Sequence, residues 1–390
     1  METVITGSGI IGPKFSTIER FTEILKIGED VLQEETFHDK TLYVGRVKEE
    51  DIRVTSLPNG KRYPKAVQFL LHACQDAIQM AMVKLEDYRV AVVIGSSGGV
   101  TSEVIDHTRK LDKHRRASPF TIGNMNAYSL SSSVCAAFQL NGMSFTLANS
   151  CTSGLDALQL ADILLKSNQV DICIVGGTDA TVCETLMKGF LPLKVLQVLK
   201  DGEVPYGPFS GGEGFTMSEG AGVLIVERQD IASQRGAKVL GVVRKTSMTQ
   251  DALSPYQTDP SGGSLLKAVD ECIGSEIPTY INSQGLGIKK NDDIEAYIYE
   301  KRFNKYKVPI TSIKGMVGHS MGASGMFQVI SSLVSMENHF IPPTINSKKT
   351  NYPGLPITES LLRKEVQSVL ITSQGYGGSN SCTLISKGGK

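Results

Sequence analysis

The segment Phe145–Leu158, FTLANSCTSGLDAL, holds the residue best placed for covalent chemistry. A short apolar run ends at Ala148, Cys151 follows three residues on, and a helical pattern starts at once. A helix N-terminus presents free N–H groups and partial positive charge. Such a setting lowers a thiol pKa and favours the thiolate, which is the nucleophile. The Cys151 N–H can also donate to an oxyanion developing on a bound thioester. Gly154 lets the chain pack closely behind the turn. A second segment, Ser312–Gly325 (SIKGMVGHSMGASG), carries Lys314 and His319 among glycines. Imidazole exchanges protons near neutral pH and is the common partner of such a thiol.

These groups need rigid elements to bring them together. Val4–Ile11 reads as a strand interrupted by Gly7 and Gly9. Tyr63–Met82 has helical spacing, and Arg89–Ile94 is an apolar run suited to a buried parallel strand. Phe145–Ala148 is a strand and Gly154–Lys166 a helix. Val170–Val175 is a strand closed by Gly176 and Gly177, and Gly222–Glu227 is another. In the second half, Ile294–Lys301 and Gly325–Glu337 are helical. Ile310–Ile313, Ser368–Thr372 and Ser381–Ile385 read as strands, the last two flanking the turn Gly375–Gly378. Strands alternating with helices predict an α/β protein with largely parallel sheets. Two halves of similar rhythm, 1–228 with Cys151 and 229–390 with Gln284, His319 and the glycine-rich turn, predict an internal duplication packed as one unit.

Composition narrows the function. In 390 residues, forty basic side chains balance forty acidic ones, which argues against nucleic acid or an anionic membrane as the main partner. Seven cysteines, none in a C-x-x-C pair, fit a reducing compartment without disulfides. METVITGSGII lacks the pattern of a signal peptide, and no run of 18 apolar residues occurs. A cytoplasmic protein is expected. No metal-ligand spacing appears, and the glycine clusters do not form a dinucleotide fingerprint.

The Cys151 segment resembles the active-site motif of the β-ketoacyl-acyl-carrier-protein synthase II family, which includes the type II polyketide ketosynthases. The resemblance extends over nearly the whole chain. It includes VITGSGIIGP, SPFTIGNMNA, NGMSFTLANSCTSG, VGGTDA, PFSGGEGFTMSEGAGVLIVE, SIKGMVGHSMGASG, IPPTIN and SQGYGGSNS, several of them in the family's order and at about its spacing. It implies a thiolase-like five-layer α-β-α-β-α fold with duplicated halves. It implies Cys151 as acyl acceptor, His319 as donor to the extender thioester, and Lys314 as support for that site's electrostatics. In SQGYGGSN, Tyr376 takes the place of the gating aromatic, its N–H being the second oxyanion donor. Gly377 and Gly378 supply permissive backbone angles.

The chain also departs from that pattern. Where the family has Asn-Ala-His-Gly-Thr-x-Thr, this chain has Asn282-Ser283-Gln284-Gly285-Leu286-Gly287-Ile288, although the following helix acid remains, as Glu295. None of the other histidines (His38, His72, His107, His114, His339) lies in a motif that could replace the lost one. Gln donates a hydrogen bond but cannot exchange a proton near neutral pH. The resemblance therefore implies impaired decarboxylative condensation. The altered His loop, the Tyr206–Gly220 segment and Gln374 are similar to the chain-length factor, the ketosynthase-like partner subunit. Cys151 and His319 are not. The resemblance implies a chain-length-factor-like partner of an active ketosynthase, with a competent ketosynthase or acyltransferase forming a thioester on Cys151 as the alternative. The implied substrates ride on the phosphopantetheine of an acyl carrier protein, with no other cofactor. The implied partners are that carrier and a ketosynthase paralogue, or otherwise a second copy of this chain, joined near Ser144–Ala148.

Overall fold

The computed structural model describes residues 2–37, 39–54, 57, 60–113, 116–200 and 202–388. Its core is one ten-stranded sheet. The strands are β1 (Thr3–Ile11), β2 (Val90–Gly95), β3 (Met143–Leu147), β4 (Ile172–Asp179), β5 (Gly220–Arg228), β6 (Gly241–Gln250), β7 (Tyr280–Asn282), β8 (Ile310–Thr311), β9 (Ser368–Gln374) and β10 (Ser379–Ser386). Their order is β8-β7-β9-β10-β6-β1-β5-β4-β2-β3. The first five strands of the chain occupy one side and the last five the other. The seam between them is the antiparallel pair β1–β6, with Thr3 opposite Val243.

The side-chain parity of the strands builds the layers. The main helices are α1 (Lys65–Ala81), α2 (Ser129–Ala137), α3 (Ser153–Lys166), α4 (Gly263–Ile273), α5 (Lys289–Phe303) and α6 (Ser324–Asn338). Val92 and Ile94 of β2 face α1 and α2, whereas Ala91 and Val93 face the cluster containing α3 and α6. In the second half, Val369 and Ile371 of β9 face that same central cluster, and Leu370 faces α4 and α5. The result is helix, sheet, helix, sheet, helix: the thiolase-like arrangement that the resemblance implied. The central helices are buried on most sides, and α6 is buried at every position from Ser324 to Met336.

Sequence and structure differ in strand direction and in the role of the strand glycines. The sheet is mixed, not largely parallel. β2 pairs parallel with β3 and β4, and β7 with β8 and β9, whereas β1–β5, β1–β6, β4–β5, β6–β10 and β9–β10 are antiparallel. Strand direction leaves no trace in an apolar run buried on both faces. Nor do glycines end β1 or β4. A Cβ on Gly9 would lie 2.1 Å from the Ala73 carbonyl oxygen of α1, and one on Gly177 would lie 2.5 Å from that of Gly322. They let helix and loop backbones approach a continuous strand. At the sheet's end, β3 has one free edge, and Phe145, Thr146 and Leu147 are half-exposed.

Candidate active site

Cys151 lies on the single turn Ser150–Thr152 that joins β3 to α3. Side chains hold this turn. Ser153 Oγ accepts from the Asn149 N–H (2.8 Å) and donates to the Ser150 carbonyl (2.6 Å). Asp156 accepts from Thr152 Oγ1 (2.8 Å) and Asn149 Nδ2 (3.0 Å). The residue before the nucleophile, Ser150, has φ +57°, a left-handed conformation uncommon for a side chain with a Cβ.

His319 arrives from the second half on the loop before α6. Its N–H donates to the Thr216 carbonyl (2.8 Å), and its own carbonyl accepts from the Ser218 N–H (3.0 Å). Gly318 precedes it at φ +73°. Imidazole Nε2 lies 3.0 Å from Cys151 Sγ and Nδ1 lies 2.8 Å from Ser324 Oγ. The Phe215 ring stands edge-on to the imidazole at 5.1 Å. Close backbone packing sets this distance: a Cβ on Gly154 would lie 2.6 Å from the Gly322 carbonyl oxygen. Asp179 clamps both sides, accepting from the N–H groups of Ser97 (2.8 Å), Gly98 (2.7 Å) and Gly322 (2.7 Å) and from Ser96 Oγ (2.8 Å). Burial raises the Asp179 pKa to about 6.

The electrostatics correct one expectation. The helix N-terminus was expected to lower the Cys151 pKa. Burial instead raises it, and this outweighs the opposing help from Ser150, the Tyr376 N–H and Lys314. Burial, followed by the nearby Lys314, holds His319 well below the usual imidazole range. The resting pair is therefore neutral thiol and neutral imidazole. In that neutral pair, Sγ–H donates to Nε2 when the imidazole carries its proton on Nδ1 beside Ser324 Oγ. The pair can become thiolate and imidazolium only as substrate charge develops.

Lys314 is buried, and its Nζ has no hydrogen-bond partner among the described residues. Burial lowers its pKa to about 8, against the pull of Glu295, Cys151 and Asp292. With His319 it borders a narrow cleft that Tyr206, Phe215 and Leu286 also line, with room for about one water. Glu295 on α5 does not pair with Lys314. It accepts from Ser283 Oγ (2.9 Å), the Gln284 and Gly285 N–H groups (3.2 and 2.8 Å), Tyr299 Oη (2.6 Å) and Thr372 Oγ1 (2.8 Å). It thereby fixes the loop that carries Gln284.

Gln284 makes hydrogen bonds to neither the thiol nor the imidazole. Its Nε2 donates to the Gln374 carbonyl (2.6 Å), and its Oε1 accepts from the Gln374 N–H (2.9 Å). The amide clamps the backbone that leads into the glycine-rich turn. The Gln374 side chain is itself buried, with neither amide atom hydrogen-bonded. Beyond it, Tyr376 is exposed and its N–H donates to Ser150 Oγ (3.1 Å). Gly377 (φ +92°) and Gly378 (φ +89°) complete the turn. His72, His107 and His339 lie on other elements; His38 and His114 fall outside the described residues.

A thiol, an oriented imidazole and backbone donors at a helix start make a site for acyl transfer through a thioester. Comparison with known proteins agrees. Residues 2–232 match the family model for the β-ketoacyl synthase N-terminal domain, and residues 240–348 match that for its C-terminal domain. The chain belongs to the β-ketoacyl synthase family. Its curated relatives include a putative polyketide β-ketoacyl synthase 1 of Streptomyces halstedii, 27% identical over 98% of this chain and 97% of the relative. Another is the 3-oxoacyl-[acyl-carrier-protein] synthase 2 of Coxiella burnetii, 26% identical over 98% of each chain. Among solved structures, the ishigamide ketosynthase/chain length factor superposes with TM-score 0.88 at 23% identity over 100% of this chain and 99% of that one. A ketosynthase in complex with its chain length factor from Xenorhabdus doucetiae gives 0.85 at 19% identity over 99% and 98%. At those identities the superpositions establish the β-ketoacyl synthase fold.

Three contributors escaped the sequence reading. Asp179 lay inside a quoted motif without a role. Ser324 would have been found by asking which hydroxyl follows His319 by about one helical turn. Ser150 left no signal beyond its place beside the nucleophile. Among the described residues, no cluster of three metal-ligating side chains occurs, and no helix is long and apolar enough to cross a membrane.

Proposed function

We propose that this β-ketoacyl synthase family member takes an acyl group from an acyl carrier protein onto Cys151 and is weak in decarboxylative condensation. The observation that carries this reading is the 3.0 Å contact between Cys151 Sγ and His319 Nε2. As the thiol attacks the carrier thioester, its proton moves to Nε2, which Ser324 orients through Nδ1. The new S–C bond forms, and the Cys151 and Tyr376 N–H groups hold the oxyanion. The bond to the phosphopantetheine sulfur then breaks, and that sulfur takes the proton back from His319. No further cofactor enters. Lys314 supplies positive charge behind the imidazole and keeps it neutral until the proton arrives.

Condensation asks for more. Loss of CO2 from a malonyl thioester leaves an enolate oxygen that needs donors and proton-transfer help, a contribution of roughly 10²–10⁴ in rate for general acid–base groups. The Gln284 amide is engaged with Gln374 instead. Type II polyketide or fatty acid synthesis is the proposed context, supported by relatives named both polyketide β-ketoacyl synthase and 3-oxoacyl-[acyl-carrier-protein] synthase. The test is mass spectrometry of the protein after incubation with acyl-carrier donors. An acyl adduct on Cys151 is expected, with malonyl-carrier decarboxylation close to that of Cys151→Ala. No adduct from any of several donors overturns the reading.

The Gln284 geometry also favours a second reading, a chain-length-factor-like subunit that works beside an active ketosynthase paralogue. The open edge of β3 near Ser144–Leu147 would be its seam. Co-expression and gel filtration test it. A protein that forms only homodimers and ignores a ketosynthase paralogue excludes it.

A further inference from the structure

The residue before the nucleophile is turned toward the glycine-rich turn. At φ +57°, Ser150 directs its Cβ to 3.2 Å from where a Cβ on Gly375 would stand. A left-handed residue with a side chain costs roughly 1–3 kcal/mol, and such strain gathers at functional sites. Here it delivers a hydroxyl to one point. Ser150 Oγ accepts the Tyr376 N–H at 3.1 Å and lies 3.7 Å from Cys151 Sγ. The same Tyr376 N–H acts on the thiol, favouring its thiolate, as does the Ser150 hydroxyl. One oxygen atom thus sits on the donor that a reacting carbonyl oxygen would need, beside the sulfur that would attack it.

We propose that the Ser150 hydroxyl is the resting occupant of the oxyanion site, a positioning residue that an incoming acyl carbonyl must displace. The inference rests on the reading above that the Tyr376 N–H is an oxyanion donor. In the empty site the hydroxyl satisfies the exposed turn's N–H and polarises the thiol. On acylation it rotates about its Cα–Cβ bond and the carbonyl oxygen replaces it. The exchange replaces one hydrogen bond by another, so acylation gains only the difference. A carbonyl that develops more negative charge in its transition state displaces the hydroxyl more readily.

Two rates measured on the full chain separate this role from a structural one. Iodoacetamide alkylates Cys151 by displacement at a saturated carbon, without an oxyanion. p-Nitrophenyl acetate acylates it through a tetrahedral intermediate and releases p-nitrophenolate. Both are corrected for background with Cys151→Ala. Ser150→Ala should slow alkylation, because the thiolate loses a donor. It should raise the ratio of acylation to alkylation by about 2- to 10-fold, the range for freeing an amide from one neutral hydrogen bond. In the unmodified protein the Tyr376 amide should exchange its hydrogen slowly, and Ser150→Ala should make that exchange fast. A ratio unchanged or lowered by Ser150→Ala overturns the proposal, as does unprotected exchange at Tyr376 in the parent chain. Because p-nitrophenyl acetate needs no carrier, a failure of carrier loading would be read separately.

Discussion

Replacing Lys314 by Met should make the protein more stable and less active, with a stability gain that depends on pH in a definite direction. Lys314 is buried, and its Nζ has no hydrogen-bond partner among the described residues. Burial takes its pKa from 10.5 to about 8 in the folded chain. A downward shift of that size means the charged form is disfavoured by about 3 kcal/mol, at 1.36 kcal/mol per pKa unit. Below pH 8 the lysine is protonated in both folded and unfolded chains, and the whole penalty burdens the fold. Between pH 8 and 10.5 the unfolded chain holds more protons than the folded one. Unfolding free energy therefore rises with pH there, and the penalty fades. Above 10.5 little remains.

Met fills a similar volume without the charge. Lys314→Met should therefore exceed the parent by up to about 3 kcal/mol at pH 7 and by about 2 kcal/mol at pH 9. Loss of attraction to Glu295 and Asp292 is already contained in the net shift, since both oppose it. Urea unfolding at pH 7, 9 and 10.5 measures the difference. A variant less stable than the parent at pH 7, or an excess equal at pH 7 and 10.5, would refute the reasoning. The same substitution removes the charge that helps hold His319 neutral, so the imidazole pKa should rise.

Iodoacetamide alkylation of Cys151 should still be accelerating at pH 9, because burial raises the thiol above its usual value of 9.0; a plateau below pH 8 would mean a resting ion pair with His319. Gln284→Ala should lower unfolding free energy by about 2–4 kcal/mol in urea titration, since it strands the buried N–H and carbonyl of Gln374. Gly154→Ala should cost about 1–3 kcal/mol and lower the thermal midpoint, because its Cβ would meet the Gly322 carbonyl oxygen at 2.6 Å, backbone against backbone.

Cys151 could be singled out from the chain because the strand, turn and helix signals around it describe its own local shape, whereas His319, Lys314 and Glu295 were implied by the family resemblance of their segments. The helix α3 starts within a residue of where the spacing of Leu155, Leu158 and Leu165 puts it. Other features depend on partners remote in sequence. The raised thiol pKa comes from the enclosure formed where α3 meets the His319 loop, which no helix-terminus argument contains. The strand β6 was missed because its apolar run is short: Val242 and Val243 are buried, but Arg244 and Lys245, which follow at once, are exposed. The Gln284 amide reads as a spare donor until the Gln374 backbone appears across from it.

That last contact separates the two half-reactions of a condensing site. Acyl loading needs a thiol, one proton carrier and oxyanion donors, all gathered within one small volume around Cys151. Decarboxylation needs further donors, and by the family resemblance loop 282–288, which meets the glycine-rich turn through Gln284 and Gln374, is the segment that would carry one. An imidazole at position 284 could hold that place with one ring nitrogen and act with the other. A primary amide can instead pair with a backbone N–H and carbonyl at once, as the two atoms of Gln284 do with Gln374. The substitution thus exchanges a group that moves protons for one that fixes the turn. On the function proposed above, its cost falls on the second half-reaction and leaves the first intact.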